Sequence, residues 1–512
     1  MAALRAAALL FLFLSGIGAV TPDPAASAQD GPLLSRGVTA PDGFVRAHRG
    51  VSTASADAQA AFDDGLTLLY AFNPEQARVS FRRALDADPS LAIAWWGVAM
   101  SYGINLNTDF DPDGQRAGRA ATAKAHALEG RASPVERALI GAAAARFAFD
   151  RSGDADRSAR AYRDAMDAVA ATYPADDDVQ TLAAEAEMDV HAWAFFTTDG
   201  APIDGMLATI ERLRLVLARD PEHIGANHLL IHALEESPHP EEALPAARRL
   251  AAERFEPAAE HLEHMPAHDF MRVGMYHEAG VANERAIASY DEYLASEHAG
   301  HQRYYGHDCL LGVDAFMMAG EYARARSLAT TCSRGGGLVS IVDLRFGRYD
   351  ELSRDENLGA FAAGMLAAHD GRNAVAKAQL AILRKENEDV GVISASVLAA
   401  ALARRDGDAS AEIATLERAA GMQDREGYAE PPEFWWPVRE SLGAADARAG
   451  RYGDAERAFR SVLEHDRDDP RALFGLARTL EREGRAAEAG PIDERFASAW
   501  RQADVQLDLK DL

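Results

Sequence analysis

The sequence predicts an all-α fold, a solenoid of stacked antiparallel helix pairs. Three observations predict it. A small-aromatic-alanine spacing recurs along the chain. Alanine is abundant and β-branched runs are scarce, which favours helices. The length, 512 residues, exceeds what one compact core supports but is normal for a stacked array. With 48% hydrophobic, 26% charged and 8% aromatic residues, the chain is a folding one rather than a disordered one.

The repeat is clearest at Gly450, Tyr452, Ala455 and Phe459. The same spacing appears at Gly320, Tyr322 and Ala325, and at Gly274, Tyr276 and Ala279. Gly484 with Ala489 repeats it in part. Near the start, Gly65, Ala77, Phe81, Ala84 and Pro89 hold matching offsets, and Trp95, Ala99 and Tyr102 open the next unit. Small residues let the two helices of a hairpin touch, and each hairpin leaves an apolar edge that a neighbour must bury. These offsets resemble the tetratricopeptide repeat, a helix-turn-helix of about 34 residues. The resemblance implies a right-handed superhelix of about ten hairpins over residues 55–505. Ser133-Pro134 with Glu136 predicts an N-cap, a first-turn proline and a capping box.

The ends read differently. Met1–Arg5 is a short basic stretch, Ala6–Val20 is uncharged, and Ala26-Ser27-Ala28 offers a small-residue cleavage site. Residues 1–28 are therefore read as a signal peptide, 29–54 as a flexible leader and 506–512 as a tail. The apolar run is too short to span a membrane comfortably. The expected protein is exported and periplasmic, not membrane-spanning. Its formal net charge of −27 repels phosphate backbones, which argues against nucleic acid.

Eleven of the 16 histidines fall between His223 and His307, where an even spread would place about three. Two segments carry the motif: Asn227-His228-Leu229-Leu230-Ile231-His232 and His261-Leu262-Glu263-His264-Met265-Pro266-Ala267-His268. Pairs four apart share one helix face, which suits two ligands of one metal. By the repeat register, His228, His232, His264 and His268 take fifth and ninth positions of successive first helices. Glu185 takes a ninth position and His307 a second. The family resemblance implies that such positions line a concave groove. The expected site is thus a metal centre of His228, His232, His264, His268 and His307, with Glu185 and Glu235 as proton-handling carboxylates. Zinc is the first expectation, with copper or iron also suiting an imidazole-carboxylate set. Pro266 predicts a kink or a helix start between the second pair. His223, His239, His277, His298 and His301 are read as exposed. The alternative is a histidine-rich groove that binds a peptide, a protein or a small molecule without metal.

Trp95-Trp96-Gly97, the Asn-His-x-x-Ile-His-Ala-x-Glu run, His-Met-Pro-Ala-His, Tyr305-x-His307 and Glu430-Pro431-Pro432 together resemble a family of exported bacterial tetratricopeptide proteins, over nearly the whole chain. That resemblance implies no particular reaction. In the repeat register Cys309 and Cys332 stand at fourth and twenty-seventh positions, which face each other across a hairpin. The pair is either a disulfide or two small buried apolar side chains.

Other motifs fail. Asp109–Gly114 echoes half a calcium loop, but Ala120 stands where a bidentate glutamate is needed. Gly335-Gly336-Gly337 lacks the lysine of a phosphate loop, and neither Gly-x-Ser-x-Gly nor His-Glu-x-x-His occurs. Loops are expected at Asn105–Gly118, Thr197–Gly205 and Asp424–Pro437, the last with Trp435 and Trp436 as core filling.

Overall fold

The structure is a computed structural model and describes residues 43–509 and 512, apart from 152, 198, 296–303, 333–336 and 427. The expected signal peptide and most of the leader lie outside the described residues. Among the described residues the regular elements are helical, with extended pairing limited to single bridges at Asn105–Thr108 and Phe196–Pro202. No helix there is long and apolar enough to cross a membrane.

Two compact units are present, one holding residues 43–269 and 285–295, the other 270–284 and 304–512. The first contains α1 (Ala56–Tyr70), α2 (Pro74–Ala87), α3 (Ala92–Met100), α4 (Pro112–Leu128), α5 (Pro134–Arg146) and α6 (Ala155–Thr172). It continues with α7 (Asp177–Val190), α8 (Met206–Arg219), α9 (Ile224–Glu235), α10 (Leu244–Ala252) and α11 (Glu260–His264). The chain divides within α12 (Pro266–Arg272) and again within α13 (Tyr276–Ala295). The second unit adds α14 (Tyr305–Ala319), α15 (Tyr322–Cys332), α16 (Gly337–Arg345), α17 (Tyr349–Leu352), α18 (Ala360–His369) and α19 (Asn373–Leu383). It ends with α20 (Asp389–Arg405), α21 (Ala409–Gln423), α22 (Val438–Arg448), α23 (Tyr452–His465), α24 (Pro470–Arg482) and α25 (Ala486–Ala499). Sequential helices pack as pairs, among them α1 with α2, α3 with α4, α14 with α15, α18 with α19, α20 with α21, α22 with α23 and α24 with α25.

The repeat spacing has a direct physical origin. Gly274, Gly320, Gly450 and Gly484 all sit at φ between 75° and 80°, the left-handed turn that ends a first helix. Aromatic side chains then wedge between glycines of neighbouring repeats. Phe81 on α2 lies against Gly65 and Gly97, where an added Cβ would come within 2.7 and 2.5 Å of its ring. Phe459 on α23 does the same at Gly443 and Gly475. We predict that Gly475→Ala costs roughly 1–3 kcal/mol by overpacking. Chemical denaturation checks this, and an unchanged midpoint would contradict the wedge.

The capping box at Ser133 forms, with Glu136 N–H donating to Ser133 Oγ at 3.3 Å and Ser133 N–H to Glu136 Oε2 at 2.6 Å. Cys309 and Cys332 are bridged, with Cα atoms 5.9 Å apart, tying α14 to α15. Asp111 caps α4 by accepting from Asp113 and Gly114 N–H, so this acid closes a helix end. Phe434 and Trp436 fill the core of the second unit beside Phe361.

Candidate metal centre

All twelve residues of α9 are buried, including His228 and His232. A helix apolar around its whole circumference belongs inside a protein, and here its two imidazoles go inside with it. His261, His264 and His268 are buried as well. The rings therefore do not face an open groove, contrary to the expectation from repeat position. Phe72, in the α1–α2 turn, lies 4.5 Å from His228 and stacks on His232 and His261 at 6.0 and 5.9 Å between centroids. Trp193, in the α7–α8 loop, meets His232 edge-on at 5.4 Å. Its Nε1–H donates to Leu106 O at 2.7 Å, joining the turn after α7 to the Asn105–Gly118 loop expected from the sequence.

Hydrogen bonds fix which nitrogen of His228 and of His232 is free. His228 Nδ1 lies 2.6 Å from Tyr70 O, a carbonyl at the end of α1 that can only accept. The proton is therefore on Nδ1, and Nε2 keeps its lone pair, with no hydrogen-bond partner. His232 Nδ1 lies 3.3 Å from Glu235 Oε1, and His232 Nε2 is likewise without a partner. Glu235 Oε2 lies 3.4 Å from His268 Nδ1, so one buried carboxylate sits between two rings. His264 and His268 approach through their Nε2 atoms at 2.9 Å.

Ligating nitrogens of His228, His232 and His261 lie within 4.8 Å of one another. Burial holds all three rings well below their ordinary pKa, and neighbouring imidazoles add to the effect. They are thus neutral and ligand-competent at physiological pH. His261 was not in the expected set. Its signal was present, since it stands three before His264 and seven before His268 on one helical stripe. A helix does start at Pro266, as expected, yet the second pair stays together. Met265 stays right-handed helical at φ −49° and ψ −37°, which keeps the turn closed across the start of α12. His232 and His268 have ring centroids 5.9 Å apart.

The other expected residues are placed as follows. Glu185, on α7, is buried, and desolvation pushes its carboxyl up to about 7 against the pull of Arg146. It lines a cleft with Leu69, Phe72, Met100, Gly103 and Arg146. Glu235 closes α9 as the carboxylate just described. His307 is half-buried near the start of α14, in the second unit.

His223 is buried rather than exposed, because it caps α9. Its Nδ1 accepts from Ala226 N–H at 3.1 Å, and its Nε2 lies 3.3 Å from Asp178 Oδ1. His277 is half-buried, with Nδ1 2.7 Å from Glu321 Oε1, rather than freely exposed. His239 is exposed as expected. His298 and His301 lie outside the described residues.

Among sequence families, the tetratricopeptide repeat matches residues 447–492, from the end of α22 into α25. No curated protein matches the chain. Among solved structures, the crystal structure of the APC/C hetero-tetramer Cut9-Hcn1 is 12% identical, with 88% of this chain and 97% of that one covered at a TM-score of 0.31. The yeast Tom70 crystal structure is 10% identical, covering 89% and 93% at a TM-score of 0.27. The P58(IPK) TPR domain is 15% identical, covering 72% and 98% at a TM-score of 0.21. Among its described residues the chain is built of packed helix pairs, and it is similar to the tetratricopeptide repeat over residues 447–492.

Proposed function

We propose that the first unit binds a divalent transition metal, zinc before copper or iron, through His228, His232 and His261. One observation carries this reading: three buried neutral imidazoles converge within 4.8 Å, and two of them turn partnerless Nε2 atoms inward. A buried nitrogen without a partner is costly, and a metal ion removes that cost. Tyr70 O and Glu235 supply the outer contacts that ligating histidines usually have. Tetrahedral zinc with ligands near 2 Å needs nitrogens roughly 3.4 Å apart, so the rings need close by no more than about 1.4 Å on loading. Three imidazoles leave a fourth position for water, and a metal lowers the pKa of that water toward neutrality. Glu185 is the nearby carboxyl suited to proton transfer, and hydrolysis is the reaction class this implies.

We propose further that the protein is exported to the periplasm, on its first 28 residues and its cysteine pair. The repeat at residues 447–492 supports a second, compatible role for the other unit, as a docking array for a peptide or protein.

Elemental analysis of the purified chain tests the metal. One zinc, copper or iron per chain is expected, falling below about a tenth in His261→Ala as an essential ligand is lost. Substoichiometric metal in the unaltered chain after metal supplementation would end the proposal.

A further inference from the structure

The ligand His228 is tied to the N-terminal end of the described chain. Residues 45–52, read in the sequence as part of a leader, form a strap beside α1. Ala47 N–H donates to Thr67 Oγ1 at 2.9 Å. The Gln59 amide closes on Arg49 O at 2.8 Å and on Val51 N–H at 3.0 Å. From this strap Arg49 sends its side chain inward, to 9% exposure. Its guanidinium donates to both oxygens of Asp176, at 2.8 and 2.9 Å, and to Asp178 Oδ2 at 3.0 Å. Asp176 is the N-cap of α7, and Asp178 stands in its first turn.

Asp178 then holds two groups that set His228. Its Oδ1 accepts from the Tyr70 hydroxyl at 2.6 Å and lies 3.3 Å from His223 Nε2. His223 Nδ1 accepts from Ala226 N–H to cap α9, so its proton is on Nε2 and faces Asp178. Burial alone would raise the Asp178 carboxyl, but His223, Arg49 and the Tyr70 hydroxyl outweigh it and hold it down to about 2. His228 lies on the helix that His223 caps, and its Nδ1 donates to the carbonyl of Tyr70. The Tyr70 ring cannot absorb a displacement freely, because an added Cβ at Gly225 would come within 2.5 Å of it. Two residues on, Phe72 is held at φ 53°, and such strain persists only where the surroundings impose it. Phe72 stacks on His232 and His261, so one turn serves all three ligands.

We propose that Arg49 is a positioning residue of the metal centre. Through Asp178 it fixes Tyr70 and the start of α9, and these set the direction in which His228 presents Nε2. The strap is thereby part of the site, and metal affinity depends on its being docked. That effect on affinity rests on the metal reading above; the placing of His228 does not. A ligating imidazole gains affinity from a partner that fixes its other nitrogen. Here the partner is a backbone carbonyl, so the groups that hold the carbonyl are the ones substitution can reach.

Zinc competition against a chromophoric chelator, on the full chain, reads the effect. Arg49→Ala and Tyr70→Phe should each weaken zinc by about tenfold, the low end for outer partners of ligating histidines. The double variant should lose little more than either alone, because both cut one path. Arg49→Lys keeps the charge without the planar fork and should recover part of the loss. His48→Ala removes only the exposed strap contact to Asp63 and should leave zinc affinity unchanged. A merely structural strap would not separate Arg49→Ala from His48→Ala. Unchanged affinity in Arg49→Ala, or an equal loss in His48→Ala, would overturn the proposal. NMR of isotope-labelled histidines in the metal-free chain tests the placing of His228 without zinc. The Nδ1–H signal of His228 should shift or broaden in Arg49→Ala and in Tyr70→Phe. That change in a chain that takes up no zinc would uphold the positioning and end only the metal reading. An unchanged His228 signal in both variants would overturn the positioning, whatever the metal does.

Discussion

Zinc at about a thousand times its dissociation constant is expected to stabilise the first unit by about 4 kcal/mol, and His232→Ala is expected to abolish that gain. The magnitude follows from mass action, since a ligand that binds only the folded state adds its binding free energy to stability. His232 is the most informative position. It contributes one of the two partnerless Nε2 atoms, it is oriented by Glu235, and both Phe72 and Trp193 pack on its ring. Calorimetric melting with and without zinc reads the effect, and an equal zinc shift in His232→Ala would contradict it.

The metal-free protein carries a pH signature of the same residue. A histidine held neutral by burial contributes stability that is complete above its ordinary pKa of about 6.5, and it is lost at about 1.4 kcal/mol per pH unit below that. The carboxyls of Glu256 and Glu260, pushed up to about 8 by burial, act in the opposite sense. Their contribution is complete below about pH 4.5 and is lost as pH rises toward 8. Glu185 behaves likewise, up to about pH 7. Raised carboxyls, Asp314 and Glu426 also among them, outnumber the three histidines, so the melting curve of the unaltered chain does not isolate the histidines between pH 4.5 and 6.5. The difference between that chain and His232→Ala isolates one histidine. It should shrink by about 1 kcal/mol between pH 6.5 and 5.5.

Glu440→Ala is expected to destabilise the second unit by about 3–5 kcal/mol. Arg345 on α16 and Glu440 on α22 form a bidentate pair, with Nη1 to Oε2 at 2.7 Å and Nη2 to Oε1 at 2.9 Å. Both side chains are nearly inaccessible, at 4% and 0% exposure. Removing the glutamate strands a buried guanidinium, which costs more than the pair itself was worth. Asp314 sets where in the range the value falls. Its carboxyl is pushed up to about 8, chiefly by burial, with Glu440 adding to the effect and Arg345 opposing it. Without Glu440 it ionises more readily and restores part of the countercharge, so the lower end is expected. Adding Asp314→Asn to Glu440→Ala should then cost more than the two single changes summed. Strict additivity in denaturant titrations would show that Asp314 takes no such role.

Much of the fold was legible because its determinants are local. The glycines of the repeat spacing needed only their left-handed turns, and Phe81 and Phe459 needed only glycines opposite them. The paired histidines of α9 were equally visible, since a spacing of four fixes a shared face. Less of the site could be read. His261 was hidden by attention to spacings of four when a three-then-four stripe ran through it. The burial of the whole cluster was not legible. It comes from Phe72 and Trp193, two residues in turns with no periodic pattern, which reach the rings from distant parts of the chain. Arg49 was silent for the same reason, because its partners come from the start of α7.

Zinc-edge X-ray absorption spectroscopy of the loaded protein tests the central claim most directly, because it counts imidazoles around the metal. The account predicts three imidazole nitrogens and one further light atom at about 2.0–2.1 Å, with one imidazole fewer in His261→Ala when that variant is reloaded with zinc in excess of its weakened affinity. A shell of oxygen alone, or an imidazole count that His261→Ala leaves unchanged, would contradict it.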